Sequence, residues 1–180
     1  MPSVACVTRL SVFIACSLDG YIATRDGDLG WLDAAARPDE DYGYDSFIAT
    51  VDALAMGRGT YDFIEAIDPL PFGRRPVYVF THRPPAPRDG VTFWAPSPLE
   101  ARDAWGAAGL ARVYVDGGAL VSSFLAAGLV DDLTITVVPV LLGDGLRLFH
   151  AGFPLTSLVL RDVAPFPSGM VNLSYVRATP

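Results

Sequence analysis

Short runs of β-branched and aromatic residues recur along the chain and predict eight strands. Several of these runs are continuously apolar, as in VFIAC, VYVF and VYV, which is typical of strands covered on both faces of a sheet. The predicted strands cover residues 10–17, 53–56, 77–81, 91–94, 112–115, 133–138, 158–165 and 171–177.

Helix signals lie between most of these strands. Residues 97–100 (SPLE) combine an N-cap serine, a proline at the first helical position and a glutamate three residues after the cap, which predicts a capped helix to about residue 108. Further helices are predicted over roughly 41–50, from 59 or 60 to 68, and over 118–128. Strand and helix alternate up to residue 131, which favours a parallel sheet. Three strands then follow with no helix between them, so one α/β domain over residues 1–180 with an antiparallel C-terminal edge is expected.

Composition and charge narrow the function classes. Hydrophobic residues make up 51% of the chain and charged residues 18%, which excludes a disordered chain. The formal net charge is −7, and the 13 Lys and Arg residues are scattered, which argues against nucleic acid because phosphate binding needs clustered basic residues. Two distant histidines and two cysteines disfavour a metal site. Cys16 lies in an apolar run, where a buried free thiol is expected, and Cys6 adds no disulfide framework.

The apolar residues 10–18 (LSVFIACSL) resemble the core of a signal peptide. Arg9 is the only basic residue before them, and nine residues are too few to span a membrane. A buried first strand is therefore the better interpretation. It predicts a cytoplasmic protein with no membrane partner.

Two glycine-bearing turns stand where a predicted strand meets a predicted helix: residues 56–61 (MGRGTY) and 116–120 (DGGAL). Glycine lets a backbone approach a ligand closely, and the first N–H groups of a helix bind phosphate. Residues 81–83 (THR) end another strand and add a guanidinium suited to a terminal phosphate. Each segment also has a structural explanation, as a tight turn or a solvated loop. The glycine fingerprint of a Rossmann dehydrogenase is absent after the first strand.

Four segments in order resemble the dihydrofolate reductase superfamily, and more narrowly the reductase domain of bifunctional riboflavin-biosynthesis proteins and its stand-alone relatives. They are residues 17–23 (SLDGYIA), 56–61 (MGRGTY), 115–120 (VDGGAL) and 139–149 (PVLLGDGLRLF). The resemblance covers nearly the whole chain. It implies a three-layer αβα fold with a mixed, mostly parallel sheet of about eight strands, and NADPH lying across the carboxyl edge of that sheet.

The resemblance also implies roles for individual residues on the cofactor side. Ala15 would lie beside the nicotinamide carboxamide. The adenosine and pyrophosphate side would be contacted by Gly57, Arg58, Gly59 and Thr60. The 2′-phosphate would be approached by Thr81 and Arg83, with His82 between them. The second turn would cradle the pyrophosphate, through Asp116, Gly117, Gly118, Ala119 and Leu120.

Residues 23–31 match the mobile loop of the family, which closes over the nicotinamide. Glycines at positions 20, 27 and 30 would give such a lid its hinges. The side chains expected to line the lid and the substrate are Ile22, Leu29, Trp31 and Phe47.

The substrate side departs from the dihydrofolate reductase pattern. Asp41 and Asp45 are one helical turn apart, so either is a candidate for holding an amino-heterocycle; the alternative is an acidic first turn that complements the helix dipole. The resemblance to the riboflavin branch makes Asp19 a rival candidate for contacting the substrate. The alternative for Asp19 is a turn-forming role. Folate is therefore a doubtful substrate.

The predicted activity is hydride transfer from NADPH to a C=N or C=O group of a small pteridine- or pyrimidine-like substrate. The first alternative is a non-catalytic NADPH-binding module with a sensing or regulatory role, and the second is a flavin- or phospho-ligand-binding protein. The apolar C-terminal strands, with a hairpin-like turn at residues 143–145, present an uncovered edge and predict a homodimer.

Overall fold

The computed structural model describes residues 7–178, so Cys6 lies outside the described residues. It contains ten strands and five helices within that range. The strands are β1 (Arg9–Ser17), β2 (Tyr21–Ala23), β3 (Ala53–Gly57), β4 (Val77–Phe80), β5 (Val91–Trp94), β6 (Arg112–Asp116), β7 (Asp132–Val138), β8 (Leu146–Arg147), β9 (Leu158–Pro165) and β10 (Val171–Arg177). The helices are α1 (Gly30–Ala35), α2 (Tyr44–Ile48), α3 (Arg58–Ile64), α4 (Pro98–Ala107) and α5 (Gly118–Ala126).

Eight strands form one sheet in the order β5-β4-β3-β6-β1-β7-β10-β9. The six strands from β5 to β7 are parallel, and β10 is antiparallel to both of its neighbours. The mixed sheet with an antiparallel C-terminal edge is confirmed, with one correction. β7 belongs to the parallel part, because α5 returns the chain to the starting side of the sheet before β7 begins.

The expected hairpin-like turn at residues 143–145 is wrong as a connection between edge strands. This segment instead leads into β8, which pairs with β2 in a separate two-stranded sheet. The strands that follow β7 in the sheet are therefore reached through a long loop. The small β2–β8 sheet and helix α1 were not predicted, because segments of two to six residues show too little hydrophobic periodicity.

Apolar side chains cover both faces of the large sheet, which makes three layers. One core packs α4 and α5 against the sheet around Trp105 and Phe124, both fully buried. The other packs α2 and α3 around Leu54, Met56 and Tyr61. The sheet interior is thus shielded from water on both sides, as the continuously apolar strands predicted.

Helix α4 begins as predicted. The Ser97 hydroxyl accepts a hydrogen bond from the Glu100 N–H, and the Glu100 carboxylate accepts one from the Ser97 N–H at 2.8 Å. Helix α2 is shorter than predicted, because Tyr42 (φ 56°) and Gly43 (φ 80°) have left-handed backbone and delay its start. No helix described within residues 7–178 is long and apolar enough to cross a membrane.

An ion network ties the amino ends of three central strands together. The Asp132 carboxylate accepts hydrogen bonds from Arg9 (2.5 Å), Ser11 (2.9 Å) and Arg112 (3.0 Å). Its side chain is only 13% exposed. Since β7, β1 and β6 are neighbours, this carboxylate cross-links three adjacent strands at their amino ends.

Replacing Asp132 with asparagine should lower the free energy of unfolding by about 2–3 kcal/mol, because the two guanidinium groups lose their partly buried counter-charge. Urea unfolding monitored by circular dichroism measures the loss. Asp103→Asn on the exposed side of α4 is the matched control and should change stability by less than about 0.5 kcal/mol. Equal midpoints for the two variants would show that the network contributes nothing.

Candidate functional site

The carboxyl ends of four adjacent parallel strands form a row at one edge of the sheet. In order they are the ends of β4, β3, β6 and β1, followed by Thr81, Arg58, Gly117 and Leu18. Three inter-strand spacings of about 4.8 Å make this row roughly 14 Å long, which suits an elongated ligand. The tertiary structure therefore brings the predicted glycine turns and the Thr81-His82-Arg83 segment to one edge.

The two glycine turns contact each other. Gly117 has a left-handed backbone (φ 91°), and a β-carbon there would lie 2.5 Å from the Thr60 hydroxyl oxygen. At Gly57 and Gly59, in contrast, a β-carbon would meet nothing within 4 Å. The first glycine turn thus leaves open space above its backbone, while Gly117 is needed for the close packing of the two turns.

Gly118 serves packing as well. A β-carbon at this position would lie 2.3 Å from the Arg147 carbonyl oxygen and 3.0 Å from that of Leu148. The start of α5 is therefore pressed against the backbone of Arg147, in β8, and of Leu148 after it. The side that a side chain at Gly118 would fill is occupied by protein, so this glycine is required for packing.

Helix α5 nevertheless begins with free donors. It has no side-chain cap, and within residues 7–178 no hydrogen bond is donated by the backbone N–H of Gly118, Ala119 or Leu120. Helix α4, which begins shortly after β5, in contrast has a complete capping box. Uncapped N–H groups at a helix start attract anions through the helix dipole.

Two arginines meet beside this edge. The Arg58 guanidinium donates to the Arg83 carbonyl oxygen at 3.3 Å and pairs with Asp62 at 2.5 Å and Glu65 at 3.7 Å. The backbone N–H of Arg83 donates to the Thr81 hydroxyl at 3.0 Å, so the segment is a compact turn. A cavity of about 150 Å³ opens next to it, lined by Phe80, Thr81, His82, Ala95 and Pro96.

A carboxyl group lies at the centre of the row. Burial raises the pKa of Asp116 from 3.8 to about 6, although the Gly117 N–H, 2.9 Å from its Oδ1, and the neighbouring Tyr114 hydroxyl act in the opposite direction. Burial also raises the pKa of Tyr114 and of Tyr44, and the Asp116 charge adds to both shifts. Titratable groups perturbed by burial beside a strand end are typical of functional sites.

Aromatic side chains of α2, β1 and β6 pack together beside the Asp116 carboxyl. The Phe13 ring stacks on Phe47 (4.9 Å between centroids) and contacts Tyr44 edge-on, and Phe47 meets Tyr114 at 5.1 Å. The Tyr114 hydroxyl donates to the Phe13 carbonyl oxygen at 2.7 Å. Phe47 thus belongs to an apolar wall with Phe13, and the half-buried Ala15 lies two residues further along β1, on the same face as Phe13.

The predicted substrate carboxylates are placed elsewhere. Asp41 precedes α2 and accepts a hydrogen bond from the Asp45 N–H at 3.2 Å, and both residues are exposed. They do not share a helical face as expected, because the helix begins after Asp41. The α2 side chains that face the sheet are Tyr44 and Phe47.

Asp19 is engaged on both oxygens. Its carboxylate accepts from the Ser17 hydroxyl at 2.6 Å and from the N–H groups of Leu142 (3.1 Å) and Gly143 (2.7 Å). These bonds, led by that of Ser17, lower its pKa. Asp19 therefore fastens the turn after β1 to the loop after β7, which is the turn-forming role.

The predicted lid lies across the edge. A β-carbon on Gly27 would lie 2.7 Å from the Phe63 ring of α3, and on the other side Arg25 pairs with Asp144. The segment thus bridges from α3 to residues 143–145. Leu29 precedes α1 and is 37% exposed.

Trp31 and Ile22 point inward from this lid region. The Trp31 indole nitrogen is buried with no hydrogen-bond partner in residues 7–178, and Ile22 packs against the core on the α5 side. The sequence-based interpretation missed Tyr44, Tyr114 and Arg147, whose guanidinium lies 4.8 Å above the Tyr21 ring. A tyrosine inside an apolar strand was the available signal, since its hydroxyl needs a partner.

Comparison with solved structures defines the class of protein. A crystal structure from Shewanella sp. PV-4, of a protein assigned provisionally to riboflavin biosynthesis, superposes with a TM-score of 0.88 at 31% identity, covering 96% of this chain and 100% of that one. Dihydrofolate reductase from Enterococcus faecalis, complexed with NADP(H), superposes with a TM-score of 0.66 at 16% identity, covering 95% and 97%. The fold is therefore dihydrofolate-reductase-like.

Sequence comparison then places the chain within that class. Residues 100–171 match the family model described as the RibD C-terminal domain. Uncharacterized protein YwjB of Bacillus subtilis (strain 168) is 37% identical over 170 residues, which cover 93% of this chain and 97% of that protein. The chain belongs to the RibD C-terminal domain family, as its motif order predicted.

Gly118→Ala should destabilise the protein by about 2–3 kcal/mol, because the added methyl group meets two backbone carbonyls that cannot move aside. Gly59→Ala, in the open turn, should be neutral or stabilise by up to about 1 kcal/mol through helix propensity. Thermal unfolding of the two variants beside the wild type measures both effects. Equal destabilisation by the two substitutions would contradict the assigned packing.

Asp116 makes stability depend on pH with a definite sign. Folding raises the pKa of Asp116 to about 6. The contribution of Asp116 to the free energy of unfolding is therefore most favourable below pH 4 and is lost as pH rises through 6. Asp116→Asn should therefore gain stability relative to the wild type as pH rises from 4 to 7, by up to about 3 kcal/mol. Urea titrations at several pH values test this, and a constant difference between the two proteins would contradict it.

Proposed function

We propose that this protein is an NADPH-dependent reductase that transfers a hydride to a C=N or C=O carbon of a small pteridine- or pyrimidine-like substrate. The observation that carries the proposal is the uncapped start of α5, placed beside open backbone at Gly57 and Gly59 in a row of strand ends. Membership of the RibD C-terminal domain family and the NADP(H) of the Enterococcus dihydrofolate reductase support it.

The residues at this edge fit a dinucleotide phosphate. The N–H groups of Gly118, Ala119 and Leu120 supply donors for a pyrophosphate, and the absent side chains at Gly57 and Gly59 allow close backbone approach. Arg58 and Arg83, which contact each other, supply the positive charge for a 2′-phosphate. The Arg58 guanidinium is already paired with Asp62 and Glu65. Arg83 has no ion pair within residues 7–178 and is therefore the stronger candidate for binding the 2′-phosphate.

When bound, the nicotinamide would supply the hydride; the protein would orient it and exclude water. The predicted lid, residues 23–31, would exclude water, since Gly27 contacts α3 and Arg25 pairs with Asp144. The wall of Phe13, Phe47 and Tyr114 would hold a planar ring by stacking.

Asp116 is proposed as the polar group that meets the substrate. With a pKa of about 6, it remains partly protonated near neutral pH and can donate a proton to a ring nitrogen or carbonyl oxygen as the adjacent carbon is reduced. Asp19, Asp41 and Asp45 are less suited, because Asp19 is occupied by three donors and the other two are exposed.

A second candidate function is a non-catalytic NADPH-binding module. It is favoured by the absence of a dihydrofolate-reductase-like carboxylate on the sheet-facing side of α2 within the described chain. Both candidates require the same nucleotide, and turnover separates them. NADPH oxidation followed by absorbance with a panel of pteridines and ribityl-pyrimidines identifies an enzyme, and tight binding with no turnover identifies the module.

The nucleotide is tested by thermal unfolding with NADPH or NADH. At 100 times its dissociation constant, NADPH should stabilise the wild type by about 2.7 kcal/mol. Arg83→Ala should weaken NADPH binding about tenfold or more and leave NADH binding nearly unchanged, because only NADPH carries the 2′-phosphate. Arg74→Ala, on an exposed loop at the opposite end of β4, is the matched control and should change neither.

A second variant separates the pyrophosphate from the 2′-phosphate. Gly57→Ala adds a methyl group that meets nothing in the free protein, so the fold should be unaffected while both nucleotides bind more weakly. If neither nucleotide raises the melting temperature of the wild type, the proposed function fails. If Arg83→Ala weakens both nucleotides equally, the assignment of the 2′-phosphate is wrong.

A further inference from the structure

Tyr44, the first residue of α2, lies close to the Asp116 carboxyl. Its ring packs edge-on against Phe13, with 5.7 Å between centroids. Phe13 lies on β1 and Asp116 on the neighbouring β6. The register that pairs Ser11 with Tyr114 sets these two residues level when it is continued by two positions, so both face α2. Since adjacent strands are about 4.8 Å apart, Tyr44 and Asp116 border the same space.

Backbone pairing between β1 and β6 stops short of this space. It ends at Ser11 and Tyr114, although β1 continues to Ser17 and β6 to Asp116. The Tyr114 hydroxyl donates to the Phe13 carbonyl oxygen at 2.7 Å, so a side chain and not a neighbouring strand binds that backbone group. A planar ring that enters from the carboxyl edge can therefore reach down between the two strands to the level of Phe13 and Asp116.

The Tyr44 hydroxyl is free to bind a ligand. Within residues 7–178 it takes part in no hydrogen bond, whereas the neighbouring Tyr114 hydroxyl has its Phe13 acceptor. The fully buried polar side-chain atoms that lack a partner in this range are all tryptophan nitrogens, so the Tyr44 oxygen is reachable from outside although its side chain is half-buried. Tyrosine rings in apolar surroundings normally bond their hydroxyl to a partner, and here a ligand can supply it.

Tyr44 and Asp116 offer opposite hydrogen-bonding groups. Burial raises the pKa of the Tyr44 hydroxyl and the Asp116 charge raises it further, so this hydroxyl keeps its proton at neutral pH and donates. Asp116, with a pKa of about 6, is mainly ionised above that pH and accepts. One donor beside one acceptor matches a ring lactam, in which a carbonyl oxygen lies next to an N–H.

We propose that Tyr44 determines substrate specificity by donating to the carbonyl oxygen of a ring lactam whose N–H is bound by Asp116. This inference rests on the proposed reductase function and identifies the ring edge that its site selects. An amino-substituted ring nitrogen, when protonated, presents N–H donors at both positions and needs two acceptors. Within residues 7–178, α2 directs Tyr44 and Phe47 toward the sheet and no carboxylate, so the second acceptor is missing and such a ring binds more weakly.

Two pteridines of the same shape test this selection: lumazine, which carries two ring carbonyls beside N–H groups, and diaminopteridine, which carries amino groups at the same two positions. Isothermal titration calorimetry of the full chain, without nucleotide and with NADP⁺, gives the dissociation constant of each. The wild type should bind lumazine about tenfold more tightly than diaminopteridine, because only lumazine pairs with both groups. Tyr44→Phe should weaken lumazine binding about tenfold and leave diaminopteridine binding nearly unchanged.

Tyr175→Phe is the matched control. The Tyr175 hydroxyl also makes no hydrogen bond within residues 7–178, and its ring packs against the core on the α4 and α5 side of the sheet. This variant should leave both dissociation constants unchanged. The melting temperatures of both variants should equal that of the wild type, since neither hydroxyl has a protein partner to lose, so a change in binding does not come from unfolding.

The proposal is overturned if the wild type binds neither pteridine in either condition, if it prefers diaminopteridine, or if Tyr44→Phe leaves lumazine binding unchanged or weakens both pteridines equally. Stabilisation by NADPH is measured separately and should be the same for Tyr44→Phe and the wild type. Lumazine binding that depends on Tyr44 in a protein that ignores NADPH would refute the reductase function but keep the Tyr44 assignment. NADPH binding together with lumazine binding that does not depend on Tyr44 would refute the assignment alone.

Discussion

The edge geometry depends on one close backbone contact, in which the start of α5 presses against the carbonyl groups of Arg147 and Leu148. Only glycine fits at Gly118, because a β-carbon would lie 2.3 Å from a carbonyl oxygen. This contact fixes how far α5 enters the edge, and with it the direction of its free N–H groups. It also holds β8, and therefore β2 and the lid that follows, next to the same helix.

Two polar groups of this edge, the start of α5 and the Asp116 carboxyl, lack the partners that the start of α4 and the Asp132 carboxylate have. Helix α4 is capped by a reciprocal pair of hydrogen bonds, and Asp132, at the amino ends of the strands, is surrounded by its counter-charges. At the edge, α5 has no side-chain cap, and the half-buried Asp116 carboxyl has no ion-pair partner among residues 7–178. An uncapped helix start beside a carboxyl group with a raised pKa is characteristic of ligand-binding sites.

Local signals identified some site residues and misled on others. The glycine turns were found because their chemistry is local: a strand followed by glycines and a helix. Asp19, Asp41 and Asp45 were candidates because carboxylates are visible in any sequence, but hydrogen-bond partners distant in the chain and the local backbone conformation decide where they lie. Asp19 bonds to Leu142 and Gly143, and left-handed backbone at Tyr42 and Gly43 removes Asp41 from its helix.

Periodicity, capping residues and the order of short motifs were enough to predict the strands of the large sheet, the capped helix and the family. The tertiary structure alone decided that β7 is parallel, that residues 143–145 lead to β8, and that Gly118 packs against backbone. It also decided that Asp116 rather than Asp19 carries the raised pKa. Burial and register are properties of pairs of segments distant in the chain, so no local pattern encodes them.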